Sequence, residues 1–208
     1  MSDPYQKLAG VYDRFVEPVN RGVRRYVFRL FPPESGKRVL EVGCGTGTNL
    51  MFYRQKENVL CGLDLSPAML KQARAKLENT AFLQQGDALH MPYRDGTFDV
   101  VLAMLTLHEM PERIREGVMA EMVRVTKKGG RLLVTDYRAG HLRFPRGWLY
   151  RLIILFFEIA AGREHFRNYR SFLRHKGLPE LLRKQPVRIE REKIIAAGNL
   201  HILALRKG

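Results

Sequence analysis

Hydrophobic positions along the chain switch between two periods, and the switches come at regular intervals. Arg38-Val-Leu-Glu-Val42 is a short β-branched run that ends on Gly43-Cys-Gly-Thr-Gly47 and passes into Thr48-Asn-Leu-Met-Phe-Tyr53, which predicts strand, glycine-rich turn and helix. Val59–Asp64 predicts a second strand ending on an acid, and Ser66-Pro67 then opens a helix to about Leu77, with Ser66 as N-cap and Pro67 in its first turn. Ala81–Gln85 predicts a third strand. Phe98–Leu105 predicts a fourth, apolar enough to be covered on both faces. Glu112 to Val125 places Ile114, Val118, Met122 and Val125 at helical spacing, and Lys127-Lys-Gly-Gly130 turns into a fifth strand, Arg131–Thr135. Strands alternating with helices at these intervals imply a parallel α/β sheet.

Such sheets bind ligands at the carboxyl edges of their strands. Gly43, Gly45 and Gly47 allow a tight turn that a ligand can approach closely. Asp64, at the tip of the second strand, can accept both hydroxyl hydrogens of a ribose, and Asp87, after the third, can address an adenine amino group. The spacing Gly-x-Gly-x-Gly differs from the dinucleotide pattern Gly-x-Gly-x-x-Gly and disfavours NAD.

Charge changes the picture at the ends only. The chain has 208 residues and a net charge of +15. Residues 1–38 hold eight Lys and Arg against four Asp and Glu, residues 39–137 hold twelve against twelve, and residues 138–208 hold sixteen against five. The flanks therefore carry all of the excess. Leu152 to Phe157 is an apolar run of six residues closed by Arg151 and Glu158, far short of the roughly 20 a spanning helix needs. The start lacks the pattern of a secretory signal. Two cysteines, Cys44 and Cys61, are too few for a disulfide framework, so a cytoplasmic protein is expected, and no Cys/His ligand spacing for a metal is present.

Val39-Leu-Glu-Val-Gly-Cys-Gly-Thr-Gly47, Gly62-Leu-Asp-Leu-Ser-Pro-Ala-Met-Leu70, Gly86-Asp-Ala-Leu-His-Met-Pro92 and Arg124-Val-Thr-Lys-Lys-Gly-Gly130 resemble the successive motifs of class I S-adenosylmethionine-dependent methyltransferases. The resemblance covers about residues 37 to 137. It implies a Rossmann-like, seven-stranded, mostly parallel sheet with helices on both faces, in which Val187–Ile195 and Asn199–Arg206 form the last strand pair. It also implies the cofactor, S-adenosyl-L-methionine. Carried over by position, Glu41, Gly43, Gly45 and Gly47 line the methionine part and Asp64 holds the ribose. Leu65 and Met69 flank the adenine, Asp87, Ala88 and Leu89 meet its edge, and Leu105 lies near the donor sulfur.

Within the superfamily the chain resembles the ubiquinone/menaquinone-biosynthesis and bacterial phospholipid N-methyltransferase branch. It departs from the quinone enzymes after the fourth strand, where Leu107-His108-Glu109 replaces their Arg-Asn pair. His108 and Tyr12 are the candidate catalytic groups: His108 follows the fourth strand directly, and Tyr12 belongs to a Tyr-Asp pair that in similar methyltransferases folds over the cofactor. Tyr137, His165 and Tyr169 are the candidate acceptor contacts.

A single methyltransferase domain is expected, with residues 1–36 as a helical lid, 37–137 as the cofactor-binding core, 138–182 as a basic apolar cap and 183–208 as the closing strand pair. The cap interleaves arginines with Leu, Ile and Phe, which suits a lipid-like acceptor, a phospholipid headgroup amine or a quinone precursor, at an anionic inner-membrane face. A soluble small metabolite is the alternative acceptor. Nucleic acid is disfavoured, because Met104-Leu-Thr-Leu stands where amino-methylating enzymes carry Asn/Asp-Pro-Pro-Tyr.

Overall fold

The computed structural model describes residues 5–6, 9–32, 34–54 and 57–208, without the side chains of residues 11, 12, 15 and 19. Two helices, α1 (Ala9–Phe15) and α2 (Glu17–Leu30), lie in the N-terminal segment expected to be helical. The break falls at Val16, and Pro18 sits in the first turn of α2, where its missing N–H costs nothing.

The alternating core follows as β1 (Arg38–Val42), α3 (Thr48–Tyr53), β2 (Val59–Asp64), α4 (Pro67–Leu77), β3 (Ala81–Gln85), β4 (Phe98–Met104), α5 (Glu112–Val125) and β5 (Thr126–Tyr137). Ser66 caps α4 as expected, its Oγ accepting the Met69 N–H at 3.1 Å. β5 starts earlier than the sequence suggests. Phe98 of β4 pairs with Thr126 and Val100 pairs with Arg131, so Lys127–Gly130 forms a bulge inside the strand. The turn chemistry was legible, but not its place within the ladder.

Three helices, α6 (Arg146–Ala160), α7 (Arg163–Arg174) and α8 (Leu178–Leu182), precede β6 (Val187–Ile195) and β7 (Leu200–Lys207). The sheet order is β3-β2-β1-β4-β5-β7-β6. The first five strands are parallel, and β7 enters antiparallel between β5 and β6. This is the Rossmann-like, mostly parallel seven-stranded sheet that the sequence motifs lead one to expect.

The period of two along each strand sends alternate residues to opposite cores. Leu40, Val101, Leu132, Val134 and Leu203 join Met119 and Met122 of α5 with Phe172, Leu178 and Leu181 of α7 and α8. Val39, Leu102, Leu133 and Ala204 join Leu50 of α3 with Leu70, Ala73 and Leu77 of α4. Both faces are thereby closed, and the carboxyl edge of the parallel strands is left as the place for chemistry.

Candidate active site at the carboxyl edge of the sheet

β1 delivers the glycine-rich turn. Gly43, Gly45 and Gly47 all have positive φ, +66°, +53° and +76°, which L side chains rarely adopt. A Cβ at Gly43 would strike the Thr106 side chain and one at Gly47 would meet Leu77, whereas one at Gly45 would meet nothing. Gly45 thus borders open space at the strand edge. Asp64, at the tip of β2, accepts the Gly45 N–H at 2.7 Å on Oδ2 and the Ser66 N–H at 2.9 Å on Oδ1, which fixes the carboxylate beside the turn.

Glu41 lies beneath that turn, 1% exposed. Its Oε1 accepts from Asn49 Nδ2 at 2.5 Å, while Oε2 has no hydrogen-bond partner among the described residues. Burial pushes the Glu41 carboxyl up to about 7 despite the Asn49 hydrogen bond. A buried acceptor without a donor is uncommon and calls for an explanation. Asn49 was missed from the sequence, since a buried asparagine in the first helical turn looks like any other polar residue there.

The other expected cofactor contacts divide in two. Met69 is buried on α4, and Ala88 and Leu89 are partly buried against the core. Leu65 is 65% exposed, and Asp87 is exposed, with Oδ1 accepting the Leu89 N–H at 2.9 Å. Leu105 follows β4 at φ +53°, a left-handed conformation rare for leucine, and donates its N–H to Thr135 O at 2.8 Å.

Among the described residues the N-terminal segment reaches this edge through Tyr5, Asp13 and Arg24, the last donating to Met104 Sδ at 3.6 Å. Asp13 of α1 accepts from Thr46 Oγ1 of the glycine-rich turn at 2.6 Å and pairs with Lys76 of α4 at 2.6 Å. The Tyr5 hydroxyl donates to Glu109 Oε2 at 2.5 Å. Asp13 was visible only as the neighbour of Tyr12, whose side chain lies outside the described residues.

Beyond β4 the chain places a buried polar cluster. Asp136, at the end of β5, accepts the Leu107 and His108 N–H groups on Oδ2 at 2.9 and 3.2 Å, and its Oδ1 lies 2.7 Å from His108 Nδ1. His108 Nε2 lies 3.5 Å from Glu158 of α6, and His165 Nε2 of α7 lies 3.0 Å from the same carboxylate. Burial alone would push the His108 imidazole down, but the Asp136 charge and hydrogen bond, with Glu158, hold it up at about 10. Burial raises the Glu158 carboxyl, and the His108 and His165 imidazoles facing it outweigh that and bring it down to about 2. With one ring nitrogen toward each carboxylate and 2% exposure, His108 has no lone pair turned to the cleft.

Tyr137 packs its ring 4.5 Å from that of His108 and 5.2 Å from that of Tyr169. Tyr169 is 1% exposed and accepts from Arg151 at 3.3 Å. The three candidate acceptor residues, Tyr137, His165 and Tyr169, are therefore brought together around His108. Glu158 was missed, though a lone acid inside an apolar helical run is a signal of a buried partner.

Comparison with known proteins agrees with this geometry. Residues 40–134 match a family described as a methyltransferase domain. The chain is 37% identical over 144 residues to a phosphatidylethanolamine N-methyltransferase of Cereibacter sphaeroides, covering 67% of this chain and 68% of that protein. It is 32% identical over 156 residues to the Streptomyces halstedii methyltransferase GfsG, covering 69% of this chain but only 53% of that protein. The alignment thus spans about half the length of that second relative. A solved Haloferax volcanii complex of the Trm112 methyltransferase activator with a putative methyltransferase shares the fold, with a TM-score of 0.71 at 17% identity over the whole of both chains. From the carboxyl-edge geometry and these likenesses together, the chain belongs to the class I S-adenosylmethionine-dependent methyltransferases, with S-adenosylmethionine as methyl donor.

Proposed function

We propose that this enzyme methylates a lipid-like acceptor, foremost a phospholipid headgroup amine, with a quinone precursor as the other member of the class, while resting on an anionic membrane surface. The observation that carries the reading is the inverted helix α6. Its buried residues are Gly147 and Glu158, and Arg151 turns inward to Asn199 and Tyr169. Trp148, Leu149, Leu152, Phe156 and Ile159 are instead 56–68% exposed, with Phe144 at 84% just before them. An exposed apolar surface of that extent, beside charge, is a signature of a partner or membrane face.

The neighbouring helix supplies the charge. Arg163, Arg167, Arg170 and Arg174 are exposed on α7 and, with Arg113 and His175, line a groove of about 560 Å³. Arg113, Arg163, Arg170 and Arg174 have no ion pair among the described residues. Among those residues, no helix is long and apolar enough to cross a membrane. The printed name of the Cereibacter relative supports the phospholipid member of the class.

The cofactor's fit is supported by the chain's own unsatisfied groups. S-adenosylmethionine supplies a methyl on a sulfonium, an electrophile that already has a good leaving group. Glu41 Oε2, buried and without a donor, suits its ammonium, the open space at Gly45 suits its methionine arm, and the fixed Asp64 carboxylate suits its ribose. Leu65, Met69, Asp87, Ala88 and Leu89 would border the adenine, and Leu105 would sit by the sulfur. Residues 1–36 serve as a lid that Asp13 and Tyr5 hold closed, and residues 138–182 form the cap over the acceptor.

The remaining work is positioning and exclusion of water, because in-line displacement needs the acceptor atom aligned and desolvated. Asp136 pins the segment after β4 by accepting its two N–H groups, so Leu107 and His108 hold fixed places beside the acceptor. His108 acts as a positioning residue in this reading. Tyr12 stands as the candidate to receive a proton.

Vesicle sedimentation tests the membrane face. Replacing Trp148, Leu152 and Phe156 together by Ser should weaken binding to anionic vesicles by about 100-fold, taking roughly 1 kcal/mol for each partly inserted side chain. S-adenosylmethionine binding should stay unchanged. Vesicle binding equal to that of the parent protein would remove the membrane reading.

A further inference from the structure

His108, Glu158 and His165 offer three ligand atoms that all lie within 4.8 Å of one another. They come from the segment after β4, from α6 and from α7, so no sequence spacing announces them. We propose that these three side chains form a site for one divalent transition-metal ion of the zinc class, which ties the cap helices to the end of β4.

The ligand set is that of a two-imidazole, one-carboxylate site. Zinc bonds of 2.0–2.1 Å to nitrogen and 2.0–2.2 Å to oxygen place tetrahedral ligand atoms about 3.4 Å apart. Each imidazole faces its own Glu158 oxygen, His108 Nε2 at 3.5 Å from Oε1 and His165 Nε2 at 3.0 Å from Oε2. One ligand atom from each of the three residues lies within 4.8 Å of the others, a spread that small shifts of the side chains close to that separation. The second shell is also in place. Asp136 Oδ1 lies 2.7 Å from His108 Nδ1, the carboxylate–imidazole pairing that directs the Nε2 lone pair toward a metal. Asp136 is itself held by backbone N–H groups from Leu107, His108 and Tyr137.

A second observation points the same way. Glu158 is 4% exposed, and its Oε2 makes a close ionic contact with His165 but no aligned hydrogen bond among the described residues. Groups that crowd together without aligning on one another are what convergence on a common centre produces. Binding would displace the protons that the two imidazoles hold toward Glu158, and the ion would leave at least one coordination position for water or another donor. The cluster is too tightly packed for an organic cation, since Glu158, His108 and Tyr169 are each under 5% exposed.

The test uses untagged, chelator-treated protein titrated with Co²⁺ and Zn²⁺. The expected result is one equivalent of Co²⁺ with visible d–d absorption, displaced by Zn²⁺, and a raised Tm with Zn²⁺. His165→Gln and Glu158→Gln should each weaken Zn²⁺ binding at least 100-fold, and Asp136→Asn about 10- to 100-fold. His175→Gln, which alters a histidine paired with Glu112 outside the cluster, should leave Zn²⁺ and Co²⁺ binding at the parental affinity. His165 is the most exposed ligand, so its variant tests the site even where Glu158→Gln fails to fold. Absence of saturable one-to-one binding by the parent protein would overturn the proposal, as would binding that survives His165→Gln.

Discussion

Asp64→Asn should reduce S-adenosylmethionine affinity by about 150-fold or more and abolish turnover at ordinary cofactor concentrations. Asparagine keeps the size of the side chain and one acceptor, but it loses the charge and turns an NH₂ group toward one of the two positions a ribose would occupy. Hydrogen bonds to charged groups contribute about 1.5–3 kcal/mol each, so losing two costs about 3–6 kcal/mol. The carboxylate is already oriented by the Gly45 and Ser66 N–H groups, so the parent protein spends little on ordering it when ligand arrives. Isothermal titration with the ligand, alongside the Tm of the ligand-free variant, separates lost contacts from a disturbed turn. Asp13→Asn, which loosens α1 without touching the ribose position, should weaken binding by a smaller factor of about ten. Near-parental affinity in Asp64→Asn would remove Asp64 from the cofactor site.

Glu41→Gln should stabilise the ligand-free protein at pH 8 while weakening cofactor binding. The carboxyl is held up at about 7 in the folded protein against an ordinary 4.5, chiefly by burial. A raised acid favours folding in its neutral form. Its stability relative to an unshifted carboxyl is therefore intact below about pH 4.5 and is lost as pH rises through 7. Above that range the buried, half-partnered carboxylate costs about 3 kcal/mol. Glutamine cannot ionise, so its variant escapes that loss, and its Tm at pH 8 should exceed the parent's by roughly 6–12 °C. The same group should make parental cofactor affinity rise by up to tenfold per pH unit from about 5 to 7, because an ammonium restores the charged form. The variant should lose that slope and bind at least tenfold more weakly at pH 7.5. A Glu41→Gln protein less stable than the parent at pH 8 would contradict this account.

Much of the fold was legible in the chain because its core strands are short, apolar and closed by turn residues with a definite mechanism. The bounds of β1, β2, β3 and α5 were read directly, and Ser66 was identified as a cap from its place before Pro67. The bulge at Lys127–Gly130 was not, because register against β4 is a property of two strands and neither one carries it alone. The same limit applied to the site. The glycine-rich turn and Asp64 are local signals, whereas Asn49 against Glu41 and Asp13 against Lys76 are contacts between elements whose faces only folding brings together.

Helix α6 is the clearest lesson. In the sequence Arg151 and Glu158 stand only as the charged ends of an apolar run, with nothing to show which of these residues turn inward. The fold turns both inward, because Arg151 finds Asn199 and Tyr169, and Glu158 finds His108 and His165, in a polar interior. Satisfying two charges inside leaves the hydrophobic residues outside, and that exposed apolar face is what the proposed membrane reading rests on.

The most direct test of the central claim is transfer of label from methyl-labelled S-adenosylmethionine by the purified protein, with phosphatidylethanolamine-containing anionic vesicles and a bacterial extract present. Proposed lipid-directed methylation predicts label in the organic phase, migrating with methylated phospholipid, or with quinone precursors if those are the acceptor. Label confined to the aqueous phase, with unlabelled lipid, would contradict it.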